Sequence, residues 1–237
     1  MSGPLELEAR FSKLGGVFLT PIDEIAARLK KVRGIVCDWD GVFNDGAKGH
    51  GAASTFAEAD SMGMNLLRYA LWRAHGEMQP VTALITGVDN PSARAFAARE
   101  HMHAVFSGSK NKTTAVEQLC RKHDLTPEEL VCVFDDVNDL GMAFACGVRV
   151  LVRRDASPLL QDYVARYGLC DYITAQPSDR HAVREAAELL LGLFGSFDAV
   201  VAARVAWDAE YVRFFAQRQA IATDYIEQAP AVPSTPP

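Results

Sequence analysis

The 237-residue chain lacks a positive charge balance, a long apolar run and any close pair of cysteines. With 24 Lys and Arg against 30 Asp and Glu, its formal net charge is −6. That argues against nucleic-acid binding, which needs a basic footprint. No run of 18 apolar residues occurs, so no membrane span is expected. The N-terminal Met-Ser-Gly-Pro-Leu-Glu-Leu-Glu has no charged n-region or apolar h-region, and no signal peptide is expected. Cys37, Cys120, Cys132, Cys146 and Cys170 are scattered, with no C-x-x-C pair. They read as reduced, mostly buried thiols in a cytoplasmic protein. No internal repeat is present. What remains is ordinary: 49% hydrophobic and 23% charged residues support a packed core and exclude wholesale disorder. The length suits one α/β domain with an appendage.

The stretch Val36-Cys-Asp-Trp-Asp-Gly-Val-Phe-Asn-Asp-Gly46 organises the chain. Asp38 and Asp40 follow the apolar run from Gly34 to Cys37, which has the length of a buried strand. Carboxylates at i and i+2 point the same way along the pleat. At a strand's carboxyl end they converge on the crevice where open α/β sheets bind ligands. Two such anions repel unless a cation or a shared proton offsets them, and Mg²⁺, a hard cation with oxygen ligands, answers that need. A strand ending in an Asp-Gly turn is also common without any function, so the stretch needs company.

Residues 1–19 carry few signals and are expected to be loosely ordered. Thr20-Pro-Ile-Asp-Glu24 predicts a helix running to about Val32, with Thr20 as N-cap and Pro21 at its first position. Residues 41–58 are rich in Gly and Ala, and the turn signal Asn44-Asp-Gly46 predicts a hairpin. Met64, Leu67 and Leu71 share one face of a helix over 61–75. Further strands are predicted over 81–86, 104–106, 130–134 and 148–152, with an edge strand at 171–173. Asn90-Pro-Ser92 opens a helix, 112–123 is helical, and Thr126-Pro-Glu-Glu129 opens a brief one. A single long helix over about 198–223 carries Val201, Val205, Val212 and Phe215 on one stripe, with Trp207, Tyr211 and Phe214 beside it. So wide an apolar face must dock on its own domain or on another subunit. The Pro-rich tail 229–237 is expected to be disordered. Alternating strands and helices imply a mainly parallel sheet covered on both faces.

Three more polar elements sit at the ends of predicted strands or the start of a helix. Thr86 closes a strand in Ile85-Thr-Gly87. Lys112, in Ser109-Lys-Asn-Lys-Thr-Thr114, stands at a helix start, with Lys110 as its alternative. Asp135-Asp-Val-Asn-Asp139 follows the strand over 130–134. Singly, each has a structural explanation in capping or solvent exposure; jointly they do not. A receiver-type phosphoacceptor domain also gathers acids, a Thr and a Lys around Mg²⁺. There the Lys follows every acid, whereas here the acidic cluster follows Lys112, and this chain is far too long.

In this order the elements resemble the four motifs of the haloacid dehalogenase superfamily of phosphohydrolases. The resemblance implies that Asp38 is the nucleophile and Asp40 the general acid/base. Thr86 and Lys112 would bind the phosphoryl oxygens. Mg²⁺ would be held by Asp38, Asp135 and the backbone carbonyl of Asp40, with Asp136 and Asp139 supporting. Superfamily caps are inserted after motif one or between motifs two and three. Between Asp40 and Thr86 there is room only for a hairpin and a helix, and between Thr86 and Lys112 for one helix and one strand. The protein should therefore be capless. Over roughly residues 33–195 it is similar to the 3-deoxy-D-manno-octulosonate 8-phosphate phosphatases. That likeness rests on the motif-one stretch, Phe56 with Asp60, Ile85-Thr-Gly87, Asn111-Lys112, the Asp135 cluster, Asp171-Tyr-Ile-Thr174 and Ala182-Val-Arg-Glu185. It implies a homo-oligomer, a tetramer, in which a neighbour covers the open site.

The departures from that family cluster. Val88 stands where the family has Arg, Ala59-Asp60-Ser61 where it has a basic residue and Asp-Gly, and Ser178-Asp-Arg-His181 where it has a Gly-rich turn. These are expected on the substrate side, with Arg180 or a neighbour's C-terminal segment able to replace the missing Arg. Phe134 replaces a Gly before Asp135 and is expected to crowd the metal site. The sequence thus reads as a capless α/β protein with a Rossmann-like, mainly parallel sheet, a hairpin after the first strand and a helical C-terminal extension. Its divisions are 1–32, an N-terminal segment; 33–195, the phosphatase domain; 196–228, the extension; and 229–237, the tail. The expected function is Mg²⁺-dependent hydrolysis of a small sugar or sugar-acid phosphate through an aspartyl-phosphate. The alternative is a catalytically weak homologue serving as a binding or assembly subunit.

Overall fold

The computed structural model describes residues 3–49 and 54–228. At its centre, strand β2 (Gly34–Cys37) pairs in parallel with β5 (Leu130–Phe134) on one side and β3 (Val81–Ile85) on the other. Beyond β5 lie β6 (Val148–Leu151) and β7 (Tyr172–Ile173), and beyond β3 lie β4 (Ala104–Ser107) and β8 (Asp224–Glu227), all parallel. Strand β1 (Val17–Phe18) closes one edge antiparallel to β7, completing an eight-stranded sheet.

All four residues of β2 are buried. That is why it reads as an unbroken apolar run: both faces of the sheet are covered. Ile35 and Cys37 join a core with α2 (Ile22–Leu29), α3 (Glu58–Ala74), α4 (Pro91–Arg99) and α8 (Ala182–Leu193). Val36 faces the other way, into a core with α5 (Lys112–His123), α6 (Leu140–Ala145) and α7 (Pro158–Arg166). The local start signals hold. The Asn90 side chain accepts from the Ser92 and Ala93 amides, Asn111 accepts from Thr113, and Thr126 forms a capping box with Glu129. Each such cap is worth about 1 kcal/mol.

Several expectations are corrected. The described residues from Gly3 on are ordered: α1 (Pro4–Leu14) precedes β1, and Phe11 packs edge-on against Tyr172 at 6.2 Å. Thr20 does not cap α2; its hydroxyl donates to the buried Asp171 carboxylate at 2.7 Å, which also takes Arg28 and Arg149. A buried charge needing donors outcompetes a local cap. After β2 the chain folds back in a tight turn bridging Asp40 and Asn44, and no strand occurs among the described residues of 41–58. Residues 50–53 of the expected hairpin lie outside the described residues, as does the tail 229–237. The strand at 172–173 is not an edge, because β1 lies beyond it. Helices α6 and α7 are not among the elements expected from the sequence; α6 is six residues long.

The long terminal helix is two helices, α9 (Phe197–Ala206) and α10 (Ala209–Gln219). Trp207 turns left-handed at φ +49°, and the Asp208 side chain caps α10 by accepting from the Tyr211 amide at 2.8 Å. Of that apolar face, Tyr211 and Phe214 dock on this chain's own α3, where Tyr69 meets them at 5.0 Å and 5.1 Å, whereas Val205, Trp207 and Val212 of the expected face are exposed. That docking carries the chain on to β8, which the sequence reading missed. No single helix among the described residues is long and apolar enough to cross a membrane.

Candidate active site

Three strand ends and one helix start build the site. Asp38 follows β2, and its amide donates to the Val133 carbonyl at 3.0 Å, extending the ladder past the last strand residue. Trp39 turns the other way into the core, stacked on Phe43 at 5.2 Å. That anchor leaves Asp38 and Asp40 on the same side, as the i, i+2 spacing requires. Thr86 follows β3 and is buried. Lys112 is the first residue of α5, and its ammonium lies 2.6 Å from Asp38 and 2.5 Å from Asp139. Lys110 points elsewhere, donating to the Gly87 carbonyl. Asp135 follows β5. Asp139 closes the turn after it, accepting from the amides of Asp135 and Asp136 at 3.3 Å each.

Asp38, Asp40, Thr86, Lys112, Asp135, Asp136 and Asp139 therefore line one cavity of about 360 Å³. Within it the roles of position differ. Carboxylate oxygens of Asp38, Asp135 and Asp139 lie within 4.8 Å of one another. The side chain of Asp40 stands apart, held by Lys48, by Ser54 at 3.2 Å and by Asn90 at 3.4 Å. Asp136 faces outward and accepts from the Val137 amide at 2.7 Å. So Asp139, expected only in support, stands in the acid triad.

Electrostatics explains what the triad needs. Burial, then the neighbouring Asp139 carboxylate, pushes Asp38 up to about 6. Burial, then Asp38 and Asp139, pushes Asp135 up to about 8. Lys112 is raised as well: burial alone would lower it, but Asp38 and Asp139 outweigh that. Three buried carboxylates held against mutual repulsion, with one lysine among them, still lack positive charge. The hard oxygen donors fit Mg²⁺.

Phe134 does not crowd the site. It alternates with Asp135 and lies fully buried in the core beneath α5 and α6. Of the other departures, only Val88 lines this cavity. Asp60 and His181 meet each other at 3.4 Å, and Arg180 and His181 line a different cavity, of about 500 Å³, between α1 and α8. That cavity is the larger, but it holds none of the seven polar residues above.

Sequence reasoning missed Lys48, Ser54, Asn90 and Arg154. Arg154 lies just beyond β6 and donates to the Asp135 carboxylate. Its signal was available: a basic pair, Arg153-Arg154, at the carboxyl end of a predicted strand. Gly41 makes room for that pair. It has φ +89°, and a Cβ there would come within 2.1 Å of Asp135 and 2.7 Å of Arg154.

No family model matches the chain. Among curated proteins it is similar to the 3-deoxy-D-manno-octulosonate 8-phosphate phosphatase KdsC of Escherichia coli K12. The two are 29% identical over 180 residues, 74% of this chain and 87% of the relative. The enzyme of that name from Haemophilus influenzae is 27% identical over 169 residues, 69% of this chain and 85% of the relative. Among solved structures, the 3-deoxy-D-manno-octulosonate 8-phosphate phosphatase from Yersinia pestis superposes with a TM-score of 0.61 at 26% identity. It covers 74% of this chain and 89% of its own. The Moraxella catarrhalis enzyme, solved with magnesium, phosphate and KDO, gives 0.62 at 24% identity, covering 76% and 98%.

Sheet order, strand-end acids and the buried lysine together make this chain similar to phosphatases of the haloacid dehalogenase type. Within that class it is a protein similar to the 3-deoxy-D-manno-octulosonate 8-phosphate phosphatases.

Proposed function

We propose that the chain is a Mg²⁺-dependent phosphomonoesterase for a small phosphorylated sugar acid, working through an aspartyl-phosphate on Asp38. The observation that carries this reading is the buried ammonium of Lys112 between Asp38 and Asp139, lining a cavity whose acids fit a divalent cation. A carboxylate oxygen of Asp38 attacks phosphorus as the ester P–O bond breaks. Asp40 gives its proton to the departing alcohol oxygen, then takes one from the water that hydrolyses the acyl phosphate. Lys112 and Thr86 hold the other phosphoryl oxygens, and Lys112 offsets charge on the nucleophile. Asp38, Asp135, Asp139 and the Asp40 carbonyl would hold Mg²⁺, which would supply electrostatic stabilisation of the transferring phosphoryl group. Asp136 supports by ordering the turn that carries Asp139.

The 33–195 segment is the catalytic unit in this reading, and 1–32 and 196–228 widen its sheet. The open site and the exposed aromatic pair of Tyr163 on α7 and Tyr167 just beyond it support a homo-oligomer, a tetramer, whose mass light scattering would report. Five free, buried cysteines support a reducing, cytoplasmic setting, testable by fractionation. The competing reading, a catalytically weak binding subunit, loses one of its two supports, because Phe134 sits in the core. Turnover of an aryl phosphate with and without Mg²⁺ separates the two: no turnover above background refutes the enzyme.

A further inference from the structure

We infer that Arg154 is the specificity-determining contact for a carboxylate on the leaving group, an assignment that rests on the phosphatase reading above. Four cations line the catalytic cavity. Lys112 is committed between Asp38 and Asp139, and Lys48 meets Asp40. Lys110 rests on the Gly87 carbonyl. Arg154 differs from all three. Its main chain is fixed: its carbonyl accepts from the Ser157 amide at 3.0 Å and from the Gln161 side chain at 3.1 Å. Its side chain is 41% exposed, and among the described residues it donates to Asp135 alone. A guanidinium has five donors in a planar fork, so it keeps donors that Asp135 does not take.

Its location selects the leaving group rather than the phosphoryl group. The guanidinium lies across Gly41, the residue after the proposed acid/base Asp40, where no Cβ would fit. Across the site, beyond β3, Val88 is exposed and offers no donor. The sheet order β6-β5-β2-β3 places these two residues on opposite sides of Asp38. Any carboxylate on the departing sugar therefore finds its fork on the β6 side. With a divalent cation at the triad, the charge of Asp135 that Arg154 meets here would be offset by the ion, and the guanidinium would be available to the substrate. Arg forks onto carboxylates bidentately, which fixes orientation as well as charge. Arg180 does not serve here, because it lines the other cavity.

The test compares Arg154→Gln and Arg154→Lys with the wild type on two substrates, 3-deoxy-D-manno-octulosonate 8-phosphate and the carboxylate-free mannose 6-phosphate. Calorimetry of 3-deoxy-D-manno-octulosonate itself, with Mg²⁺ present, gives a readout independent of turnover. Arg154→Gln is expected to lose roughly 10- to 150-fold more kcat/KM on the acid than on the neutral ester, mainly through KM. It should weaken binding of the free sugar acid by a similar factor, and Arg154→Lys should recover part of both. Equal losses on the two esters, together with weaker Mg²⁺ binding, would overturn the proposal and make Arg154 an orienting partner of Asp135. Unchanged binding of the sugar acid would overturn it too, whatever the turnover. Failure of the wild type to hydrolyse either ester would refute the phosphatase reading, and the calorimetric comparison would still decide the role of Arg154.

Discussion

Lys112 Nζ stands 2.6 Å from Asp38 Oδ1, with both side chains at most a tenth exposed. A buried pair of this kind is stabilising only when its remaining hydrogen-bonding capacity is met. Asp139 meets it from the far side. The lysine is thereby fixed over the nucleophile before any substrate arrives, which is the preorganisation that electrostatic catalysis requires.

Replacing the nucleophile should separate chemistry from folding. Asp38→Asn is expected to lower kcat by at least roughly 10³-fold, since an amide cannot form the acyl phosphate. Lys112 keeps Asp139, and one source of carboxylate repulsion disappears. The melting temperature should stay within about 4 °C of wild type. A rate within tenfold of wild type would sink the assignment.

Metal dependence should carry a pH signature. Activity is expected to vanish in excess chelator and to fall with Ca²⁺, which prefers more ligands at longer distances. Without metal, Asp135 is pushed up to about 8 and Asp38 to about 6. The folded chain then binds protons that the unfolded chain has released, so metal-free stability falls as pH rises from about 4 to about 8. Mg²⁺ competes with those protons. The melting-temperature gain at a fixed Mg²⁺ concentration should therefore be larger at pH 8 than at pH 6, and a gain that is equal or smaller at pH 8 contradicts this.

Phe134 should behave as a core residue. Phe134→Ala is expected to cost about 3–5 kcal/mol in urea unfolding while leaving Mg²⁺ affinity within about twofold. Tighter metal binding in the variant would restore the crowding argument that its buried position removes.

The C-terminal extension should be integral to stability. Arg218 reaches Glu100 at 3.2 Å with both side chains buried, and it also meets Asn65. Arg218→Ala is expected to cost about 3–5 kcal/mol, because it leaves Glu100 under-compensated. A change below about 1 kcal/mol would mean that α10 is held by its aromatic contacts and its other polar contacts, such as Trp72 with Gln217.

Much of this was legible from the chain. Strands β2, β3 and β5 and helix α5 could be read because each combines a clear apolar pattern with a local stop or start residue. Asn90, Asn111 and Thr126 are such starts, acting over three residues. Thr20 looked identical in kind and went elsewhere, because Asp171, 151 residues away, needed its hydroxyl more. The break at Trp207 could have been read from Asp208 as an N-cap, but the apolar stripe running through it suggested a continuous helix. β8 carried no usable pattern, since three of its four residues are exposed on a sheet edge.

By itself the sequence determined which polar residues end which elements, and so which of them could meet at one side of a parallel sheet. Strand ends and helix starts are local, and their chemistry is written within a few residues. Only the tertiary structure decided which charges pair. It set Lys112 on Asp38, 74 residues away, and Arg154 on Asp135. It put Asp139, expected only in support, into the triad, and turned Phe134 into the core. Those outcomes depend on sheet order and on desolvation of neighbouring charges, and neither leaves a periodic trace in the chain.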